Sequence, residues 1–240
     1  MENPPKDRLG LATSRSHTVA VLDGFRVGTL YPHPSSHSVW RVLVYLAVHG
    51  PASRHRVAGT LWPDATQERA LGNLRSAVWR IQHTVPGITE AHRGSLRLAP
   101  TVSTDVELLV AEGTAVLADP TYVPEDISPL TGPGELTPDW NDDWILTERE
   151  RLRLLRLSAL DAVADRLLDA GRAQLALHVS LAAVRTDPLR ESSCRQVIRA
   201  HLMMGNPAQA IEQYGRYASL LHDELGVEPE RSTRDLLVSR

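Results

Sequence analysis

A repeat in the C-terminal half places the tightest restriction on the fold. Ala170-Gly171-Arg172-Ala173-Gln174-Leu175-Ala176-Leu177 aligns with Met204-Gly205-Asn206-Pro207-Ala208-Gln209-Ala210-Ile211 at an offset of 34 residues. That spacing is the tetratricopeptide period, in which each unit is a helix pair that cannot bury its apolar face alone and must stack on its neighbours. Gly171 with Gly205, and Ala176 with Ala210, fall where two helices must turn and pack closely. The turns downstream drift out of register, Asp187-Pro188 answering to Glu228-Pro229, so the last helix is expected to be about two turns longer. Upstream, Leu152, Leu155, Ala159, Ala162 and Val163 mark the buried stripe of a long helix from about Asp142 to Ala170. Its arginines Arg149, Arg151, Arg153 and Arg156 interleave with Glu148 and Glu150, a pattern that predicts a solvated face. A Pro/Gly-rich loop or linker is expected between Asp119 and Pro138.

The first hundred residues are patterned differently. Val19 to Leu22, the turn Asp23-Gly24, and Phe25 to Val27 predict two short strands. Val39 to His49 is rich in β-branched residues, yet Trp40, Leu43, Leu46 and Ala47 recur at helical spacing and Gly50-Pro51 supplies a stop, so a helix is expected. Ser53 can cap a second helix that runs to Leu61 and is closed by Trp62-Pro63. Asp64 with Gln67 forms a capping-box pattern for a third helix, Ala65 to Val85, ended by Pro86-Gly87. Thr89 to His92 and Ser95 to Leu98 could then pair as a hairpin around Arg93-Gly94. Strands, three helices and a hairpin is the order of a winged helix-turn-helix. The expected fold is therefore mainly α with two domains. Residues 1–16 form a mobile leader, 17–100 an α+β winged helix-turn-helix, and 101–240 an all-α, tetratricopeptide-like domain.

Charge divides along the same line. From Arg15 to Pro100 ten arginines face four acids, a net of +6, whereas residues 101–240 hold 14 arginines and 23 acids, a net of −9. One half suits a polyanion and the other a different partner. Enzyme chemistry is poorly served. Lys6 is the sole lysine, in the leader, which leaves no lysine for a phosphate loop or Schiff base. Cys194 is the only cysteine, so disulfides within the chain and multi-cysteine zinc sites are excluded, and Cys194 with His201 lie seven apart, too far for a nucleophile and base. His33 and His37 fall in a Pro/Ser loop with no helix to align them, and Asp142 with Asp143 suit a helix start better than a catalytic pair. No metal, cofactor or membrane span is expected, and a lone cysteine fits a cytoplasmic protein.

On the third helix, Leu71, Leu74, Ala77, Val78 and Ile81 share one face. The opposite face gathers Arg69, Asn73, Ser76, Trp79, Arg80 and His83, with Arg75 at its edge. Arginine pairs with guanine, asparagine with adenine, and serine donates or accepts, so this set suits the major groove. A polar outer face is common to every exposed amphipathic helix; what tips the reading is Trp79, whose exposure opposite the apolar stripe argues for a covering partner. Arg54, His55 and Arg56 open the second helix, where charge and amide groups favour phosphate, and Arg93 and Arg97 place positive charge on the hairpin.

The motifs Ala58-Gly59-Thr60-Leu61-Trp62-Pro63-Asp64, Glu68 to Arg80, Leu96-Arg97-Leu98-Ala99-Pro100, Val102 to Asp105, Pro138 to Trp144, Thr147 to Leu152 and Glu224-Leu225-Gly226-Val227-Glu228-Pro229 together resemble the Streptomyces antibiotic regulatory protein (SARP) family. The resemblance runs from about Val19 to Pro229. It implies a response-regulator-type winged helix followed by a bacterial transcriptional activator domain. It further implies side-by-side binding to direct repeats of double-stranded DNA upstream of biosynthetic operons, antibiotic biosynthesis among them. Recruitment of RNA polymerase holoenzyme through contacts that include the sigma factor, and a place on the nucleoid, follow from the same likeness. By position, Asn73, Arg75, Ser76, Trp79 and Arg80 become the base-reading residues. The segment Gly28 to Ser38 departs from the family, being short and poor in the basic residues many members carry there. The competing reading is a helical-repeat adaptor whose concave surface holds a peptide or small ligand.

Overall fold

The computed structural model describes residues 17–31, 37–92, 94–132 and 134–238. They form two compact units, one made of 17–19 with 26–104 and the other of 20–25 with 105–238. Helix accounts for 63% of the described residues, so the mainly α expectation holds. The leader, His33 and Arg93 lie outside the described residues.

The first unit begins with strand β1 (His17–Ala20), whose last residue already belongs to the second unit, and β2 (Arg26–Val27). Helix α1 (His37–His49) starts two residues earlier than its sequence pattern suggests, so His37 opens a helix rather than lying in a loop. Seven of its thirteen residues, Val39, Trp40 and Val42 to Leu46, are buried, and that packing overrides the strand preference of its valines. Strand β3 (Ala52–Ser53) leads into α2 (Arg54–Leu61), with the Ser53 hydroxyl accepting from the Arg56 amide at 3.2 Å. Helix α3 spans Gln67–Thr84, and here the capping-box expectation fails. A turn closed by the Ala65 amide on the Trp62 carbonyl absorbs Pro63 and Asp64, and Thr66 becomes the cap, its hydroxyl accepting from the Arg69 amide at 3.4 Å. Strands β4 (Thr89–His92), β5 (Ser95–Leu98) and β6 (Val102–Thr104) complete the unit. β4 and β5 pair antiparallel with Thr89 opposite Leu98, and β3 joins on the far side of β5. β6 pairs parallel with β1, in a sheet ordered β2-β1-β6. Leu43, Leu46, Leu61, Leu74, Ile81, Ile88 and Leu96 are fully buried and make the core beneath the helices.

The second unit holds α4 (Asp105–Ala118), α5 (Ser128–Thr131), α6 (Asp143–Asp169), α7 (Ala173–Thr186), α8 (Glu191–Met203), α9 (Pro207–Leu225) and α10 (Arg231–Asp235). From α6 to α9 each helix packs on the next, with α4 lying against α6. The 34-residue repeat is visible in the hydrogen bonds. Gly171 N donates to Leu168 O and Arg172 N to Leu167 O, while Gly205 N donates to Leu202 O and Asn206 N to His201 O. Both glycines hold φ near +74°, the left-handed helix end that residues with a Cβ resist. Ala176 and Ala210, just beyond, are completely buried. α9 has 19 residues against 14 in α7, an excess of about one and a half turns rather than two.

Residues 20–25 join this unit as a short segment held by backbone hydrogen bonds and one β-bridge, Leu22 to Leu136. Asp23 N donates to Glu135 O and Thr137 N to Val21 O, while the amides of Val21 and Leu22 donate to the Asp105 carboxylate at 2.9 to 3.1 Å. Burial pushes the Asp105 carboxyl above its ordinary range, and those amides pull the other way. The arginines of α6 overturn the solvated-face expectation. Arg149 donates to the carbonyls of Leu136, Thr137 and Trp140, and Arg156 is buried with Nη1 on the Gly134 carbonyl at 3.0 Å. The alternating charge pattern could not reveal that a loop ten to twenty residues upstream lies over this face and takes its guanidiniums. Arg151 and Arg153 do pair with Glu148 and Glu150, as the pattern suggests.

Candidate nucleic-acid interface

Helix α3 sorts its residues by face. Ala70, Leu74, Ala77 and Ile81 are buried, with Leu71 and Val78 half-buried beside them. Arg69, Asn73, Arg75, Ser76, Trp79, Arg80 and His83 are all exposed. Among the described residues no carboxylate pairs with Arg69, Arg75 or Arg80, so three guanidiniums stand on one helix surface with their donors turned to water. The Arg75 side chain folds back over Gly72, where an added Cβ would lie 3.7 Å from its Nη2.

Trp79 is 60% exposed, an unusual cost for an indole in water. Its ring lies against that of His83, centroids 3.9 Å apart, and the His83 Nδ1–H donates to the Trp79 carbonyl at 3.0 Å. The imidazole, held one helical turn away, thus props the indole on the same exposed face as Ser76 and Arg80.

Arg54, half-buried, and the exposed His55 and Arg56 occupy the first turn of α2. Ser53 caps that turn and sits opposite Ser95 in the β3–β5 ladder, which fixes the start of α2 beside the hairpin. On the hairpin itself, Arg97 stands opposite Glu90 and pairs with it, Nε to Oε1 at 2.7 Å. Its charge is therefore offset within the sheet, and a phosphate would have to compete with Glu90 for it.

Gln82 escaped the sequence reading. Its amide nitrogen donates to the Thr89 carbonyl and, at 2.8 Å, to the Thr89 hydroxyl, while its Oε1 accepts from the Gly87 amide at 3.0 Å. This one side chain ties the end of α3 to the start of the hairpin. Arg41, whose guanidinium carbon stands 4.9 Å from the centre of the Trp62 ring, similarly joins α1 to the end of α2. Neither contact leaves a periodic signal, because each pairs residues across a turn or between helices. Among the described residues no cluster of three potential metal ligands is present.

Comparison with known proteins bears on this arrangement. Residues 133–238 match the family model of the bacterial transcriptional activator domain. The regulatory protein AfsR of Streptomyces coelicolor is 25% identical over 195 residues, a match that takes in 77% of this chain and 20% of AfsR. Among solved structures, Mycobacterium tuberculosis EmbR in complex with a low affinity phosphopeptide shares the fold with a TM-score of 0.63 at 21% identity, over 93% of this chain and 64% of that one. The chain thus spans a fifth of AfsR and under two thirds of EmbR.

Proposed function

We propose that this chain, whose residues 133–238 match the bacterial transcriptional activator domain and whose motifs resemble those of the SARP regulators, is a sequence-specific, DNA-binding transcriptional activator. The first unit is a winged helix-turn-helix whose α3 enters the major groove. Asn73, Arg75, Ser76, Trp79 and Arg80 read bases there, and Arg54, His55, Arg56, Arg69 and His83 grip phosphates. Arg93 and Arg97 would approach the backbone from the hairpin, the latter after leaving Glu90. The observation that carries this reading is the unpaired row of arginines around an exposed, propped tryptophan on α3. An apolar ring held in water opposite a packed helix face is explained by a surface that covers it.

In this reading the protein binds side by side on direct repeats upstream of biosynthetic promoters and recruits polymerase holoenzyme, sigma factor included, through the acidic second unit. The family is a type of transcriptional regulator and not an enzyme family. Among the described residues no helix is long and apolar enough to cross a membrane.

Gel shift on the promoters flanking its own gene, repeated across a salt series, tests the proposal. Contact with about five phosphates would lower log K by roughly 4.5 for each tenfold rise in salt. A flat salt response, or no retarded species on any duplex, would favour the helical-repeat adaptor.

A further inference from the structure

The second unit encloses a cavity of about 230 Å³ whose wall carries four guanidinium groups, Arg149, Arg153, Arg156 and Arg185, against the single carboxylate of Glu135. Leu22, Leu136 and Leu152 supply its apolar surface. The four arginines are not equivalent. Arg149 is committed to backbone carbonyls, and Arg153 pairs with Glu150 and Asp187. Arg156 is only 7% exposed, spends Nη1 on the Gly134 carbonyl and feels the charge of Asp105. Arg185, in the last turn of α7, is exposed and has no carboxylate paired with it among the described residues. A buried cation and a solvated one therefore line the same part-apolar cavity. Lining a cavity with desolvated guanidinium costs folding free energy that a hydrophobic lining would not. Guanidinium also has a fork geometry matched to carboxylate and phosphate oxygens.

We propose that this cavity binds a small organic anion, an apolar body bearing a carboxylate or phosphate, whose acid group is taken by Arg156 and Arg185 while its body lies on Leu22, Leu136 and Leu152. The volume falls below the range typical of drug-sized sites and suits a ligand of one ring or a short chain. The inference goes beyond the transcriptional reading and does not depend on it, since the site lies within the second unit and needs no DNA.

Calorimetry on the full chain, without DNA, tests it with four probes: phenyl phosphate, benzoate, inorganic phosphate and benzyl alcohol. At least one of the first two is expected to bind saturably with one site per chain, and whichever binds tighter identifies the acid group. Inorganic phosphate, lacking the apolar body, and benzyl alcohol, lacking the charge, should each bind about tenfold more weakly than that probe, a difference of about 1.4 kcal/mol. Arg185→Ala, at an exposed position, should weaken the better probe by about tenfold at an unchanged thermal midpoint, which keeps the test valid if Arg156→Met fails to fold. Absence of saturation by either acid up to about 10 mM, equal binding of benzyl alcohol, or wild-type affinity in Arg185→Ala would overturn the assignment.

Discussion

Trp79 and Arg80 are neighbours in sequence with separate tasks. The indole is 60% exposed and leans on His83, whereas Arg80 has its guanidinium in water, so neither contributes much to the core. Replacing either with alanine should therefore cost the fold less than about 0.5 kcal/mol. Operator affinity should fall by roughly 1–3 kcal/mol, the value of one good base contact. Gel shift and thermal unfolding on the same preparations check both halves of that statement. Wild-type affinity in both variants would mean that the reading face lies elsewhere. Cys194 shows the opposite situation. It is buried beside Ile198 and Tyr217, and burial pushes its thiol up to about 11, against the weak help of a contact from Gln213. The folded protein keeps the thiol protonated across the neutral range, and the thiolate becomes accessible only on unfolding. Iodoacetamide at about pH 8, near the ordinary thiol range, should leave the native chain unlabelled by mass spectrometry and modify Cys194 stoichiometrically in denaturant.

At the level of elements, the repeat makes a quantitative demand. Gly171 and Gly205 share φ and the same pair of closing hydrogen bonds, so Gly171→Ala and Gly205→Ala should destabilise to a similar extent, about 1–2 kcal/mol each. Denaturant melts would show it; a difference of more than about twofold between them would mean that the two turns are not structural equivalents. Periodicity announced these helices because their buried faces repeat within a single segment. The bounds of α6 fell within a residue of expectation for that reason, with Asp142 as cap and Asp143–Asp169 as helix. Strands β3 and β6 left no such trace, being two and three residues long and defined by partners far away in sequence. The cap of α3 was misplaced by two positions because Asp64 and Thr66 are both good caps, and only the Trp62–Ala65 turn chooses between them. On the candidate interface the exposed set on α3 was legible from the helical wheel. The Arg97–Glu90 pair and the Gln82 clamp were not, since cross-strand register and a turn's path decide them.

Over the whole molecule, the short run 20–25 has an importance out of proportion to its length. Its flanks belong to the first unit, yet its own backbone pairs with Glu135 and Thr137 and supplies the amides that hold Asp105. Leu22 is 5% exposed and forms a β-bridge with Leu136. Leu22→Ala should destabilise the second unit by about 2–5 kcal/mol, the usual range for a buried leucine. The measurement is hydrogen exchange, which in α6 and α7 should rise more than in α1 and α3; the reverse order would refute the assignment of this segment to the second unit. A consequence reaches beyond stability, into how such proteins can be recombined. The two units cannot be traded between relatives as beads cut from a string at Thr104, because the N-terminal half would carry off a fragment that the C-terminal half requires. A working hybrid would have to transplant the hexapeptide with its distant host, which couples the drift of two sequence regions more than a hundred positions apart.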